Sequence, residues 1–170
     1  MKVVKRYLIP LSLAFIVGML SACSMAEEYV VDETKKNLEL KMEQAPHEAT
    51  FQDSGISFYL PEDTEVELVD EYNYVLDHDG QMSLLFLNDS SQHEDIDAIL
   101  DDLYLMNEPV IGELREKNGK QAYFVVAEFT EGNYKVVVGY DGVKLSSFMN
   151  MKDIPDRAKV MFDIAQSVEK

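Results

Sequence analysis

Carboxylates, three histidines and one cysteine are the side chains of this sequence that could do chemistry. The 170 residues include 32 Asp and Glu, one cysteine, and His47, His78 and His93. Nucleophilic catalysis needs a nucleophile beside a positioned base, but there is no G-x-S-x-G segment, and the histidines have no metal-ligand spacing. We therefore predict solvated surface histidines, in a linker, a turn and a helix cap. We also predict that the chain is not an enzyme and holds no cofactor or metal.

Two groups of acidic residues keep a calcium-binding or small-ligand function open as an alternative. Asp77-His78-Asp79-Gly80 matches a fragment of a calcium loop, but the later oxygen ligands and the closing Glu are absent in register. Asp89, Glu94, Asp95 and Asp97 form the second group. A hairpin turn explains the first group and helix capping explains the second.

A second alternative is an envelope hydrolase that uses two carboxylates as acid and base or nucleophile. The abundance of acidic residues gives no reason to choose a particular pair. The sequence has no Trp, so Tyr72, Tyr74 and Tyr140 would have to serve as an aromatic sugar platform. Tyr72 and Tyr74 alternate on one face of a predicted strand, where packing on the sheet is the simpler interpretation.

The acidic residues are concentrated in one stretch of the chain. The net charge is −17, and Met42–Leu114 contains 19 Asp and Glu with no Lys or Arg. Such a charge argues against nucleic acid as a partner. It fits either a solvated surface or a docking face for a basic envelope protein. Glu62, Glu65, Glu67 and Asp70 are the candidate docking residues.

The amino terminus has the organisation of an export signal. Lys2, Lys5 and Arg6 precede an apolar stretch, Tyr7–Leu20. The stretch is shorter than the roughly 20 residues of a membrane-spanning helix and matches a signal peptide. It ends in Leu20-Ser21-Ala22-Cys23, whose cysteine is the only one in the chain. A single cysteine excludes an intrachain disulfide.

Leu20-Ser21-Ala22-Cys23 resembles the lipobox of bacterial lipoproteins. The resemblance implies recognition of Leu20, Ser21 and Ala22 by a signal peptidase, cleavage after Ala22, and diacylglycerol with further fatty acid (palmitate-type chains) on Cys23. Two or more acyl chains anchor a protein stably. We therefore expect a protein bound to the cell membrane on its extracytoplasmic side. Removal of 22 residues leaves 148, takes away three of 15 basic residues and no acid, and gives a net charge of −20.

Residues 23–48 are predicted to be the acylated cysteine and a polar tether, and residues 49–170 a single domain. A weakly amphipathic helix within 23–48 is an alternative, because Val31, Leu38 and Met42 recur at helical spacing. Pro46 would end such a helix. The tether is the simpler interpretation of so polar a segment.

The domain is predicted to consist mainly of hairpin-connected strands. Asp-Gly or Asn-Gly pairs between β-prone runs are strong hairpin signals, and Met82–Leu87 is apolar enough to indicate a strand buried on both faces. Amphipathic helices are expected after a capping box at Ser91–Glu94 and after Asp153. The expected β segments are 56–60, 66–69, 72–76, 82–87, 110–116, 121–129, 134–140 and 143–149.

These elements predict an α+β fold, an antiparallel sheet of about seven hairpin-connected strands covered by two amphipathic helices. The segment Gly55–Pro61, the central sheet and a closing helix after Val143–Met149 resemble the PsbP-like α/β/α family over about Phe51 to Lys170. The resemblance implies an accessory or binding role. The sequence therefore predicts a membrane-anchored lipoprotein with a non-enzymatic binding or accessory domain.

Overall fold

A seven-stranded antiparallel sheet forms the centre of the computed structural model, which describes residues 27–87, 93–105 and 108–170. Strands β3 to β9 form this sheet in the order β3-β4-β5-β9-β8-β7-β6, and β1 and β2 form a separate two-stranded sheet. The elements are α1 (27–43), β1 (Phe51–Asp53), β2 (Ile56–Phe58), β3 (Thr64–Asp70), β4 (Asn73–His78), β5 (Gln81–Phe86), α2 (Ile96–Asp102), β6 (Ile111–Lys117), β7 (Lys120–Thr130), β8 (Asn133–Tyr140), β9 (Val143–Met149) and α3 (Ile154–Ser167).

The strand order follows from two meanders that meet in the middle of the sheet. β3, β4 and β5 pair in succession, and the chain then crosses through α2 to the opposite edge. From there β6 to β9 return inward until β9 pairs with β5. This order leaves β3 and β6 as the two edge strands.

Three of the predicted hairpin turns are confirmed by their backbone geometry. Asp79-Gly80, Asn118-Gly119 and Asp141-Gly142 each have positive φ at both residues, for example 55° and 72° at Asp79 and Gly80. Two consecutive positive φ values define the turn whose twist matches that of paired strands, and Asn-Gly and Asp-Gly accept them at little steric cost. The turns therefore set the registers β4–β5, β6–β7 and β8–β9.

Helices cover the sheet, as the α+β prediction required, and they lie on both faces. The described residues contain three α-helices rather than the two predicted. α1 and α3 pack on one face together with the β1–β2 hairpin, over side chains such as Phe124, Val138 and Leu145. α2 packs on the other face against Tyr123 and Val125 of β7. Among the helices in the described ranges, none is long and apolar enough to cross a membrane. The signal segment and Cys23 lie outside the described residues.

Helix α1 occupies much of the segment for which a polar tether was the simpler prediction. Its apolar residues Val30, Val31, Leu38 and Met42 pack on the core, as the helical alternative required. Ion pairs also join α1 to the edge strand β6. Four residues along a helix rise about 6 Å and two residues along a strand about 6.8 Å, so every fourth residue of α1 lies near every second residue of β6. The three pairs are Lys35–Glu113 at 2.8 Å, Glu39–Arg115 at 3.7 Å and Glu43–Lys117 at 2.6 Å.

The prediction that the apolar run Met82–Leu87 is buried on both faces is wrong. β5 is central in the sheet, with Leu85 fully buried on the α1–α3 face. Met82 and Leu84 point to the other face and expose 64% and 42% of their surface. The short helix α2 leaves this part of the sheet uncovered.

The boundaries of α2 also differ from the predicted ones. The capping box at Ser91–Glu94 does not start the helix, and Ser91 itself lies outside the described residues. Asp95 is the N-cap instead, and its carboxylate accepts a hydrogen bond of 2.9 Å from the Ala98 amide. An Asp at this position satisfies a free helical N–H as well as Ser does. The apolar side chains of α2, from Ile96 to Leu103, face the sheet, as expected of the amphipathic helix predicted there.

Candidate functional site

An open sheet face beside an acidic edge is the most unusual surface of the domain. α2 covers β7 and β8 on its face of the sheet but not β4, β5 and β9. Met82 and Leu84 of β5 are exposed there, and Phe148 of β9 exposes 46% of its surface. Phe129 extends the apolar area, since its ring centroid lies 4.8 Å from that of Phe148. We call Met82, Leu84, Phe129 and Phe148 the apolar strip.

The strand register places carboxylates directly beside the apolar strip. Glu67 on β3 pairs across the strands with Val75 on β4, which in turn pairs with Leu84. The neighbouring row runs from Glu65 to Asp77 and then to Met82. Because side chains alternate between faces, Glu65, Glu67 and Asp77 share the face of the apolar strip. Moving inward from the edge, the surface changes from acidic to apolar within two strands.

Glu65 and Asp77 form a like-charge pair directly opposite each other on adjacent strands. Such pairs destabilise a sheet unless a cation lies between the carboxylates. No ion pair within the described ranges involves Glu62, Glu65, Glu67 or Asp77, although several other acidic residues are paired. These carboxylates are therefore available to cations from outside the domain. We call Glu62, Glu65, Glu67 and Asp77 the acidic edge.

Asp70 does not share the environment of the other candidate docking residues. Its carboxylate accepts hydrogen bonds from the Tyr72 amide at 2.9 Å and from the Asn73 side chain at 2.8 and 2.9 Å. The bond from the Tyr72 amide is the main reason that the pKa of Asp70 lies below its ordinary value, and the Asn73 side chain adds to it. Asp70 therefore organises the turn between β3 and β4.

Two lysines lie at the opposite side of the apolar strip, and both have partners within the domain. Lys144 Nζ lies 5.3 Å from the centroid of the Phe86 ring and 3.9 Å from Asp102. Lys135 Nζ donates to the carbonyl of Leu103 at the end of α2, at 3.4 Å. Burial, and secondly the charge of Lys144, lower the pKa of Lys135. These cations are engaged in holding α2 to the sheet.

The three histidines do not share the solvated position predicted for them. His93 is buried with 8% exposure: its ring lies edge-on to Tyr123, and its backbone exchanges hydrogen bonds of 3.0 and 2.8 Å with Gln121. His78 is half-buried, with Nδ1 3.2 Å from the Thr64 hydroxyl. Only His47 is exposed, and it stacks on Tyr59. The prediction of a surface residue is therefore wrong for His93, because Tyr123 and Gln121 of β7 enclose it.

Two of the candidate calcium ligands have structural roles, and a third lies outside the described residues. Asp79 forms a hairpin turn and Asp95 caps α2, as their plainer interpretations required. Asp89 belongs to the undescribed residues 88–92. In the parts of the chain that the structure describes, no three His, Cys, Asp or Glu side chains come together as a metal site.

The buried carboxylate of the described residues, Asp163 on α3, is paired with a cation. Lys41 of α1 donates to its two oxygens at 2.7 and 2.6 Å, and His47 Nε2 lies 3.6 Å from it. This arrangement ties α1 to α3. Of the two tyrosines predicted to share a strand face, Tyr74 is buried and donates to Asp53 at 3.2 Å, whereas Tyr72 lies in the turn before β4.

A wide groove of about 500 Å³ lies beside the carboxyl end of α1, between the β6–β7 turn and α3. Its two lysines are both neutralised, Lys117 by Glu43 at 2.6 Å and Lys120 by Asp141 at 3.0 Å. The groove therefore offers a ligand little unpaired positive charge.

Comparison with models of protein families finds no family that matches this chain, and comparison with curated proteins finds no matching relative.

Proposed function

We propose that this protein is a lipid-anchored, extracytoplasmic lipoprotein of the cell membrane. Its domain is a non-enzymatic binding or accessory module, and the acidic edge docks a basic envelope protein. The observation that carries the docking role is the like-charge pair of Glu65 on the edge strand β3 and Asp77 on the neighbouring strand β4, neither of which forms an ion pair within the described ranges. The PsbP-like resemblance belongs to the same proposal and is supported by a central antiparallel sheet with helices on both faces.

The packing of helix α1 on the core limits how far the proposed anchor can lie from the domain. Four residue steps separate Cys23 from Glu27, the first described residue of α1, and an extended chain of that length reaches roughly 14 Å at most. A flexible tether over 23–48 would instead reach several times further. While α1 remains packed on the core, the domain therefore stays close to the lipid surface.

Labelling with a radioactive fatty acid tests the anchor. The native chain should incorporate the label and fractionate with membranes, because Cys23 provides the acylated thiol. Cys23→Ser should remove the label and release the protein from the membrane. Retention of the unlabelled variant in the membrane fraction would contradict the lipid anchor.

Charge reversal with a matched control tests the docking role. We expect Glu62→Lys, Glu65→Lys and Glu67→Lys together to abolish crosslinking of the basic partner in intact cells. The control variant carries Glu116→Lys on the other edge strand, with Glu131→Lys and Glu169→Lys elsewhere. It changes the net charge by the same amount as the test variant. An equal loss of capture in the two variants, or no loss in either, would count against a docking role for the acidic edge.

A further inference from the structure

We propose that the apolar strip binds an amphipathic cationic helix of the partner protein. The apolar side of that helix would lie on Met82, Leu84 and Phe148, and its Lys or Arg side chains would reach Glu65 and Glu67. This inference rests on the proposed function, and it specifies the chemistry and shape of the partner.

Met82, Leu84 and Phe148 lie on neighbouring strands of one sheet face, which distinguishes them from scattered exposed side chains. Met82 and Leu84 alternate along one strand, and Phe148 belongs to β9, the strand that pairs with β5. Isolated apolar residues on a surface need no explanation, whereas contiguous patches mark interaction sites. A central strand that is apolar on both faces is normally covered by a helix. The strip is therefore a sheet surface that lacks its covering layer within the described part of the domain.

The dimensions of the uncovered surface fit one helix. β4, β5 and β9 are neighbours, so with strands about 4.8 Å apart the surface spans roughly 10 to 15 Å. An α-helix with its side chains is about 10–12 Å wide. Such a helix would lie beside α2 in the same layer, with its outer side next to the acidic edge.

The charges select a cationic partner over a second copy of the chain. Glu65, Glu67 and Asp77 border the strip without partners among the described residues, while Lys135 and Lys144 on its other side already contact the end of α2. A second copy would bring a further net charge of −20, and this repulsion opposes self-association. A helix that is apolar on one side and carries Lys or Arg along another matches both the apolar strip and the acidic edge.

Site-specific photocrosslinking in intact cells tests this inference on the full, membrane-bound chain. A photoreactive phenylalanine analogue replaces Leu84 in one variant and Phe148 in another. The matched control places it at Leu40 of α1, which is similarly exposed at 52%. Both strip positions should yield an adduct whose crosslinked peptide, identified by mass spectrometry, is a basic segment with helical apolar spacing. Adding Glu65→Gln and Glu67→Gln should lower the adduct yield roughly fivefold.

Each other outcome overturns the inference. An adduct with a second copy of this chain, with lipid, or with an acidic or non-amphipathic peptide would do so, as would equal adducts at Leu40 or no adduct at all. The charge-reversal experiment separates the two proposals. Loss of capture after charge reversal, without a strip adduct, would leave the acidic edge as the docking site and reject the helix on the strip. If charge reversal had no effect either, both proposals would fail.

Discussion

At the scale of single residues, close packing of Gly139 against Tyr123 shows how tightly β7 and β8 are fitted beneath α2. A Cβ atom at Gly139 would lie 2.0 Å from the Tyr123 ring, far inside van der Waals contact. Tyr123 cannot easily move, because it packs with α2 and against the His93 ring. Gly139 is therefore required by the space that the ring occupies.

Gly139→Ala should lower the free energy of unfolding by about 1–3 kcal/mol, the range typical of overpacking. Chemical denaturation of the purified protein measures this change. A double-mutant cycle provides the control, because Gly139→Ala should cost little once Tyr123→Ala has removed the ring. A similar cost in both backgrounds would show that the ring is not the cause.

Replacing Asp70 should weaken the turn between β3 and β4 without affecting docking of the partner. Its pKa is lowered chiefly by the Tyr72 amide, so it stabilises the fold above its ordinary pKa of about 4 and loses that contribution as the pH falls through the lowered value. Asp70→Ala should lower the thermal midpoint at pH 7, with a smaller difference from the native protein in strong acid. Crosslinking of the partner should be unchanged. Reduced crosslinking with an unchanged midpoint would instead assign Asp70 to docking.

At the scale of secondary structure, α1 is the element whose attachment depends most on charge. Three ion pairs join it to β6, and Lys41 pairs with the buried Asp163 of α3. The exposed pairs each contribute little. Removal of Lys41 would leave a carboxylate without its main partner in a largely buried position, which is far more costly.

Lys41→Ala should destabilise the docked helix by about 3 kcal/mol, the lower end of the range for breaking a buried pair, because both side chains keep some exposure. Hydrogen exchange should become faster in 27–43 and stay slow in β7 and β8. Lys159→Ala is the matched control, since its pair with the exposed Asp156 contributes about 0.5 kcal/mol or less. Adding Asp163→Ala to Lys41→Ala should restore part of the lost stability of α1, because the carboxylate left without its partner is then removed. Uniformly faster exchange across the domain would show that α1 is not a separately attached element.

The sequence predicted the strands better than it predicted what covers them. The turns at Asp79-Gly80 and Asn118-Gly119 could be located because their φ requirements are local. Burial of Met82 and Leu84 could not be predicted, since an apolar run looks the same whether or not a helix packs on it. The Lys41–Asp163 pair joins residues far apart in the chain and leaves no local pattern. The excess of acidic residues was visible as composition. Only the structure distinguished Glu65, which lies opposite Asp77 on the next strand, from Asp70, whose carboxylate accepts hydrogen bonds within a turn.

At the scale of the whole molecule, charge and apolar surface are arranged unevenly around one sheet. The α1–α3 face is closed by two helices and the β1–β2 hairpin, and residues Ser57 and Glu169 pair to attach the carboxyl terminus to β2. The opposite face combines the apolar strip with the acidic edge. In our proposal, the first face gives the domain its stability and holds it near the membrane, and the second binds the partner.

The most direct test of this account measures crosslinked partner in intact cells as the external NaCl concentration rises, with sucrose of equal osmolality as control. External salt reaches only a protein outside the cytoplasm, and it shortens the screening length from about 10 Å at 0.1 M to about 3 Å at 1 M. We expect capture by the native chain to fall steeply with salt but not with sucrose. Glu62→Gln, Glu65→Gln and Glu67→Gln together should give a low, salt-insensitive yield. Capture by the native chain that stays constant up to 1 M salt would contradict extracytoplasmic docking through the acidic edge.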